Sequence, residues 1–263
     1  MIGFFHRHRD GVVAEPIARS VWNSDHLGGP PVSGLLAREL DTCCPDGFVP
    51  ARLTVDLFRP VLDRPITIRS ETVRRGRRIT VADAAIVQND QVRARATALF
   101  LSPGAVPPGQ LWSAGDELPA PPEGAVQVGD MPLFRSGSGG WNRDGADHQN
   151  DDRKICWVAV VLSLVAGEPL TPLQHAAMVA DFTNQVCHWG SRGVGYINAD
   201  VTMTLSRPPV DCELGLRAAD AVPAEGISIG TATLYDRVGA LGTCVVTALS
   251  NGDHPVDLTV TTR

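Results

Sequence analysis

The sequence contains no apolar run long enough to cross a membrane, no CxxC pattern, and few aromatic residues, 5% of the chain. Each shortage excludes something. A spanning helix needs about 20 consecutive apolar residues, so no membrane insertion is expected. The amino-terminal MIGFFHRHRDG lacks the apolar core of a signal peptide. The six cysteines stand at positions 43, 44, 156, 187, 212 and 244. Only the first two are close, and neighbours rarely pair with each other, so zinc and redox motifs are both excluded. Reduced thiols in a cytoplasmic protein are the expectation. Positive charge is short as well. A net charge of -6 argues against wholesale binding of nucleic acid or an anionic membrane. His6 and His8 form a pair near the terminus with no third ligand spaced to complete a metal site, and His148 lies in a polar stretch. His26 and His175 flank helix starts, where caps and satisfied surface histidines are commoner than pocket residues. No metal and no cofactor are expected.

What is present suits a soluble globular chain: 263 residues, 43% hydrophobic and 20% charged. That length allows one large domain or two ordinary ones. The most informative stretch runs from Thr171 to Pro208. Thr171 can cap a helix, Pro172 suits the first turn, and Gln174 completes a Thr-x-x-Gln capping box. Val179, Phe182, Val186 and Trp189 recur at helical spacing as a buried stripe. Asp181 falls inside that helix beside Phe182, where a carboxylate needs water or a function. After a Gly-rich turn, Ile197, Ala199, Val201, Met203 and Leu205 alternate with polar residues, which predicts a half-buried strand.

The first 101 residues show the same kinds of element. HLGGPPVSGLLARELD reads as a helix with Val32, Leu35, Leu36 and Leu40 as its stripe. RLTVDLFRP is a strand, Ile66–Val73 and Ile79–Val87 form a hairpin through Arg74, Arg75, Gly76, Arg77 and Arg78, and Val92–Leu101 closes the unit. From Ser102 to Asp152, prolines and then a Gly, Asn and Asp run mark a linker, with a composition that favours disorder between Ser136 and Asp152. Its SGSGG lacks the Lys-Ser/Thr of a phosphate loop. The next block opens with the strand ICWVAVVLSL and repeats the order of the first. Arg207-Pro208 against Arg59-Pro60 gives an offset of 148, and so does Ile227–Leu234 against Ile79–Ile86. The same offset carries Asp181 onto Ser33. CVVTALS against RATALFL gives an offset near 150, which predicts a small insertion before the last strand. A domain-sized period means a duplicated domain rather than a solenoid. The expected division is 1–105, a Pro/Gly-rich linker over 106–152, and 153–263. Each half has one long helix and about five mostly antiparallel strands, an α+β unit in which a sheet wraps a helix.

The segments HLGGPPVSGLLAREL, VDLFRPV, RRGRRITVADAAI, ADFTN, YINADVTMTLSRPP and LYDRVGALGTCVVTAL, in that order across both halves, resemble the type II acyl-CoA thioesterase-like family, which has a double hotdog fold. The resemblance covers nearly all of the chain outside the linker. It implies hydrolysis of acyl-CoA thioesters between the halves, a place in lipid metabolism, and association into a homo-oligomer. In that family an Asp, a Thr and a Gln hold the attacking water. Carried over by position, these fall on Asp181, Asn198 and Thr247. Sequences more similar to this one also carry Asn-x-Asp, as at Asn198 and Asp200.

Hydrolysis of a thioester needs a group that takes the water's proton and donors for the oxyanion. Asp181 suits the first task, better if burial raises its pKa. Asn198 and Thr247 would fix the water, and backbone amides at Gly28 and Gly29 would bind the carbonyl. The competing readings are a solvated or backbone-satisfied Asp181, a turn-ending Asn198 and a plain strand Thr247. Arg74, Arg75, Arg77 and Arg78 read either as a solvated hairpin turn or as a site for the phosphates of CoA. An α/β-hydrolase would need a G-x-S-x-G elbow between a strand and a helix, and neither Ser33 in PVSGL nor Ser191 in WGSRG supplies one. A hotdog hydratase or dehydratase would carry a His five residues after the Asp, where Val186 stands. A non-catalytic acyl-CoA or lipid-binding protein on the same fold is the remaining alternative.

Overall fold

The computed structural model describes residues 3–9, 11–20, 23–115, 117–126, 131–159, 162–252 and 255–259. Val160 and Val161, expected in the strand that opens the second half, lie outside the described residues. The first half holds strands β1 (Gly3–His8) and β2 (Gly11–Ala14), helix α1 (Gly29–Asp41), and strands β3 (Val49–Asp56), β4 (Thr67–Arg75), β5 (Ile79–Gln88) and β6 (Gln91–Leu101). Between the halves lie β7 (Leu133–Ser136) and the short helix α2 (Gly145–His148). Then come β8 (Lys154–Ala159), β9 (Ser163–Val165), α3 (Pro172–Ala180), α4 (Thr183–His188), β10 (Trp189–Gly190), β11 (Gly193–Val194), β12 (Tyr196–Asn198), β13 (Asp200–Leu205), β14 (Glu213–Ala224), β15 (Ile227–Asp236) and β16 (Gly239–Ser250).

One sheet of eleven strands runs β4-β5-β6-β3-β13-β16-β15-β14-β8-β7, with β12 also on β16. The two halves meet where β3 pairs antiparallel with β13, and Thr54 stands opposite Thr202. Those two threonines are repeat equivalents, 148 residues apart, and their hydroxyls lie 3.0 Å from each other. A pseudo-two-fold axis therefore passes between them. Helices α1 and α3 pack side by side on one face. Val32, Leu35, Leu36 and Leu40 of α1 are all buried, as are Ala94, Ala96 and Ala98 of β6, whose small side chains let the helices lie close to the sheet. The arrangement is a double hotdog.

Two expectations are corrected by the hydrogen bonding. The last strand carries no insertion. Ala82 pairs with Ala98 and Gly230 with Val246, and beyond the irregularity Gln88 pairs with Gln91 and Asp236 with Gly239, so the offset stays 148 to the end. The shared TAL triplet is a coincidence of composition two residues out of register. Secondly, the long second helix is broken at Asp181 and Phe182. Phe182 and Asn184 donate their amides to carbonyls three residues back, a tightening typical of a short 3₁₀ turn. Near the amino terminus, β1 pairs with β2 and β9, and His6 Nδ1 lies 2.8 Å from Glu15 Oε1.

The helix cap at Thr171 forms, with its hydroxyl accepting from the Gln174 amide at 3.2 Å. The capping box does not close. Gln174 turns its amide toward Asp41 at the end of α1, and the Thr171 hydroxyl donates to the same carboxylate at 2.5 Å. The start of α3 is thus tied to the end of α1. Ordered structure also fills part of the expected linker. β7 extends the sheet along β8, His148 is buried with Nδ1 2.9 Å from Ser136 Oγ, and Phe134, His148 and Trp189 form an aromatic cluster. Lys154, the only lysine in the chain, is buried and donates to the Asn150 side chain and to the backbone carbonyls of Asn150 and Asp152. Those bonds satisfy a buried ammonium and hold the polar loop in place.

Candidate active site

A cavity of about 400 Å³ opens between the halves, within the usual size of a small-ligand site. The first half lends Phe4, Ile17, Arg19, Ser20 and the helix start Gly28–Pro31. The second half lends Val158, Ala159, Leu162, Met178, Asp181, Phe182, Asn184, Gln185, Val194 and Asn198. Met131 and Pro132 from the connecting segment, and Val256 and Leu258 from the carboxy-terminal tail, complete the wall. Most of the lining is apolar, with a few polar groups gathered around Asp181.

Asp181 sits where α3 ends, and its carboxylate lies against Gly29, the first residue of α1. A Cβ at Gly29 would overlap Oδ2 and stand 2.6 Å from Cγ, so only glycine fits this contact. Asn198 Nδ2 donates to Asp181 Oδ1 at 3.1 Å. Burial raises the Asp181 pKa to about 6, against the opposing pull of that bond. The carboxylate can thus be ionised near neutrality and still take a proton. Phe182, expected in the core stripe, packs partly against the core and also lines the cavity.

The helix start explains which backbone donor is available. Pro30 and Pro31 have no N–H, and the Gly28 N–H is already given to the Ala18 carbonyl at 2.9 Å. Among the described residues, Gly29 is left as the one unpaired backbone donor of this turn, beside the carboxylate and at the positive end of the helix dipole. Of the two glycines expected to bind a carbonyl, Gly29 has its amide free and Gly28 does not.

Asn198 reaches Asp181 because the strand is irregular. Asn198 stands opposite Ala248, but Thr202 stands opposite Val245, so one extra residue is accommodated between them. Such a bulge re-aims a side chain, and here it ends the simple alternation through Asn198, Asp200 and Thr202. Asp200 pins it, accepting from the Thr247 amide at 2.6 Å and lying 3.4 Å from the Thr247 hydroxyl. Thr247 does not line the cavity. It falls between the buried Val246 and Ala248 and faces the opposite side of the sheet. The inward neighbour of Asn198 on β16 is Ala248, whose methyl offers no hydrogen bond.

Arg74, Arg75, Arg77 and Arg78 are exposed at the hairpin between β4 and β5. That end of the sheet adjoins Leu101 and Val49, just past the end of α1, whereas Gly29 stands at the helix start. The length of α1, about 20 Å at 1.5 Å per residue, separates the cluster from the cavity. Among the described residues no group of three or more His, Cys, Asp or Glu is placed to hold a metal ion. Nor, among them, is any helix long and apolar enough to cross a membrane. His188 points away from Asp181. Its Nδ1 lies 2.8 Å from Asn184 Oδ1 and its Nε2 2.9 Å from Ser228 Oγ, and burial lowers its pKa to about 4. His175 is buried on α3 and its pKa is likewise lowered to about 4, so neither helix histidine joins the site.

Two further cavity residues, Asn184 and Gln185, are missing from the sequence reading. The signal for them was present, since they follow Asp181 at i+3 and i+4 and share its helix face.

Two hotdog units sharing one sheet, with a carboxylate in a largely apolar cavity between them, define the double-hotdog class. The comparisons with known proteins give the family. The acyl-CoA thioesterase N-terminal domain matches residues 18–101 and the acyl-CoA thioesterase C-terminal domain matches residues 108–249, so the chain belongs to the acyl-CoA thioesterase family. Among solved structures it is similar to a tesB protein of Mycobacterium avium subsp. paratuberculosis, with a TM-score of 0.67 and 16% identity over 94% of this chain and 95% of that one. It is similar to the acyl-CoA thioesterase II TesB2 of Mycobacterium marinum, with a TM-score of 0.64 and 16% identity over the same shares. A hot dog fold protein of Alicyclobacillus acidocaldarius gives 0.66 and 17% identity over 96% of each chain. These likenesses show the shared fold. No curated protein matches the sequence.

Proposed function

We propose that the protein is an acyl-CoA thioesterase in which Asp181 activates water against a thioester bound between the halves. The observation that carries this reading is the Asp181 carboxylate itself, partly buried at the cavity with its pKa raised to about 6 and held by Asn198 against the start of α1. A carboxylate with that pKa serves as a general base near neutral pH. The Gly29 N–H would receive the thioester oxygen as negative charge develops there. The apolar walls suit an acyl chain. No covalent intermediate is required.

The hydratase reading loses support from His188, which is neutral and bound to Asn184 and Ser228. The test is thiol release from acyl-CoAs of graded chain length by the parent protein and by Asp181→Ala. Release by the parent and its loss in the variant support the reading. No release above background, or equal release by both proteins, overturns it. Saturable binding of the esters without release would instead identify an acyl-CoA-binding protein.

A further inference from the structure

We propose that Gln185 is a catalytic residue that holds the attacking water jointly with Asp181, supplying from α4 the amide that β16 does not bring to the cavity. The inference rests on the thioesterase reading above.

Three amide side chains line the cavity. Asn184 is used at both ends, donating through Nδ2 to the Tyr196 carbonyl at 2.9 Å and facing His188 through Oδ1. Asn198 directs its Nδ2 to Asp181. Among the described residues, neither the nitrogen nor the oxygen of the Gln185 amide has a protein partner. Gln185 follows Asp181 by four residues across the tightened turn at Asp181 and Phe182, and both side chains line the cavity.

The other half of the molecule supplies a control. The repeat offset carries Gln185 onto Ala37 and Asn198 onto Pro50, just as it carries Asp181 onto Ser33. Ala37 and Ser33 are fully buried in the core, and neither position there has an amide or a carboxylate. An amide therefore appears at this place only in the half that has the carboxylate. Gln185 is partly buried and lines the cavity, so its unpaired amide is placed to hold a water there.

The water would give one O–H to the Asp181 carboxylate and the other to Gln185 Oε1, which aims its lone pair at the thioester carbon. As the C–O bond forms, Asp181 takes the first proton and the carbonyl electrons move onto oxygen. Collapse reforms the carbonyl, breaks the C–S bond, and the departing thiolate takes the proton from Asp181. The products are a carboxylic acid and free CoA thiol.

The experiment measures kcat and KM for decanoyl-CoA by thiol release, together with the thermal midpoint, for the parent, Asp181→Ala, Gln185→Leu and Gln185→Glu. Gln185→Leu keeps the bulk and removes the amide. It is expected to lower kcat about 100-fold, the scale of one lost transition-state hydrogen bond, with KM and the midpoint nearly unchanged. Gln185→Glu restores the acceptor and adds a carboxylate one turn from Asp181. It is expected to regain activity at high pH, with the acid limb of the rate profile moved upward by about one unit. A Gln185→Leu enzyme with parental kcat, or an unmoved limb in Gln185→Glu, overturns the inference. If the parent and Gln185→Leu are active and Asp181→Ala is not, only the role of Gln185 falls. If the parent releases no thiol, both readings fall.

Discussion

Asp181 and Ser33 occupy the same place in the two halves, 148 residues apart, and their surroundings differ in one direction throughout. Around Asp181 stand Gly29, Asn184, Gln185 and Asn198; at the matching positions stand Ala177, Leu36, Ala37 and Pro50. The Asp181 side meets a cavity, whereas Ser33, Leu36, Ala37 and Ala177 are buried in the core. The pair Gly29 and Asp181 is especially informative against Ala177 and Ser33. A large acidic side chain on one helix is matched by the loss of Cβ on its neighbour, and a small hydroxyl by a methyl. The two halves thus share an order of elements and differ in use, with a carboxylate at a cavity on one side of the axis and core packing on the other.

Removing the charge should give the largest effect. Asp181→Asn is expected to lower kcat about 1000-fold, the scale of a lost general base. It should also raise stability. A carboxyl whose folded pKa is raised carries no penalty below about pH 4, where it is protonated folded and unfolded alike. The penalty grows through the interval up to about 6 and is complete above it. Asp181→Asn should therefore be more stable than the parent by about 2–3 kcal/mol at pH 8 and by little at pH 4, as denaturant titration at both values would show. In the parent, thiol release should fall about tenfold per unit as the pH drops below about 6, and a flat profile down to pH 5 would exclude Asp181 as the base.

The glycine contact can be tested without activity. Gly29→Ala is expected to destabilise the parent by about 1–3 kcal/mol through overlap with the carboxylate. In an Asp181→Ser background, which copies the Ala177 and Ser33 combination, the same change should cost almost nothing. Equal costs in the two backgrounds would show that the carboxylate is not what requires glycine. The smallest effect belongs to the packing side. Among the described residues Ser33 Oγ is buried without a hydrogen-bond partner, so Ser33→Ala should raise stability by roughly 1 kcal/mol and leave thiol release unchanged.

Much of this comparison is legible in the sequence. The α1 stripe, the Thr171 cap, the hairpins and the 148-residue period all rest on local chemistry: apolar spacing, a capping hydroxyl, and turns that admit few residues. The period leads directly from Asp181 to Ser33. Asn198 was placed by counting, although the bulge that aims it was not visible, because a bulge depends on which residue of the partner strand stands opposite. The same register decides that Thr247 faces outward and Ala248 inward, and a shift of one residue reverses that choice. The broken helix was hidden because Asp181 and Phe182 keep helical dihedrals and only their hydrogen bonds change. The cavity walls from Phe4, Met131 and Leu258 come from chain segments with no periodic signal at all. The distance between the arginine hairpin and Asp181 follows from the direction in which α1 runs along the sheet, a tertiary property.

The ladder between β3 and β13 has a mechanical consequence. Clefts between two domains commonly open by rotation about a linker, but here rotation would have to tear a row of main-chain hydrogen bonds at the centre of a continuous sheet. The chamber thus has no jaw. Its wall is closed by separate pieces of chain instead: exposed Met131 contributes from the connecting segment, and Val256 is fastened to Val194 by paired backbone bonds of 2.9 and 3.0 Å.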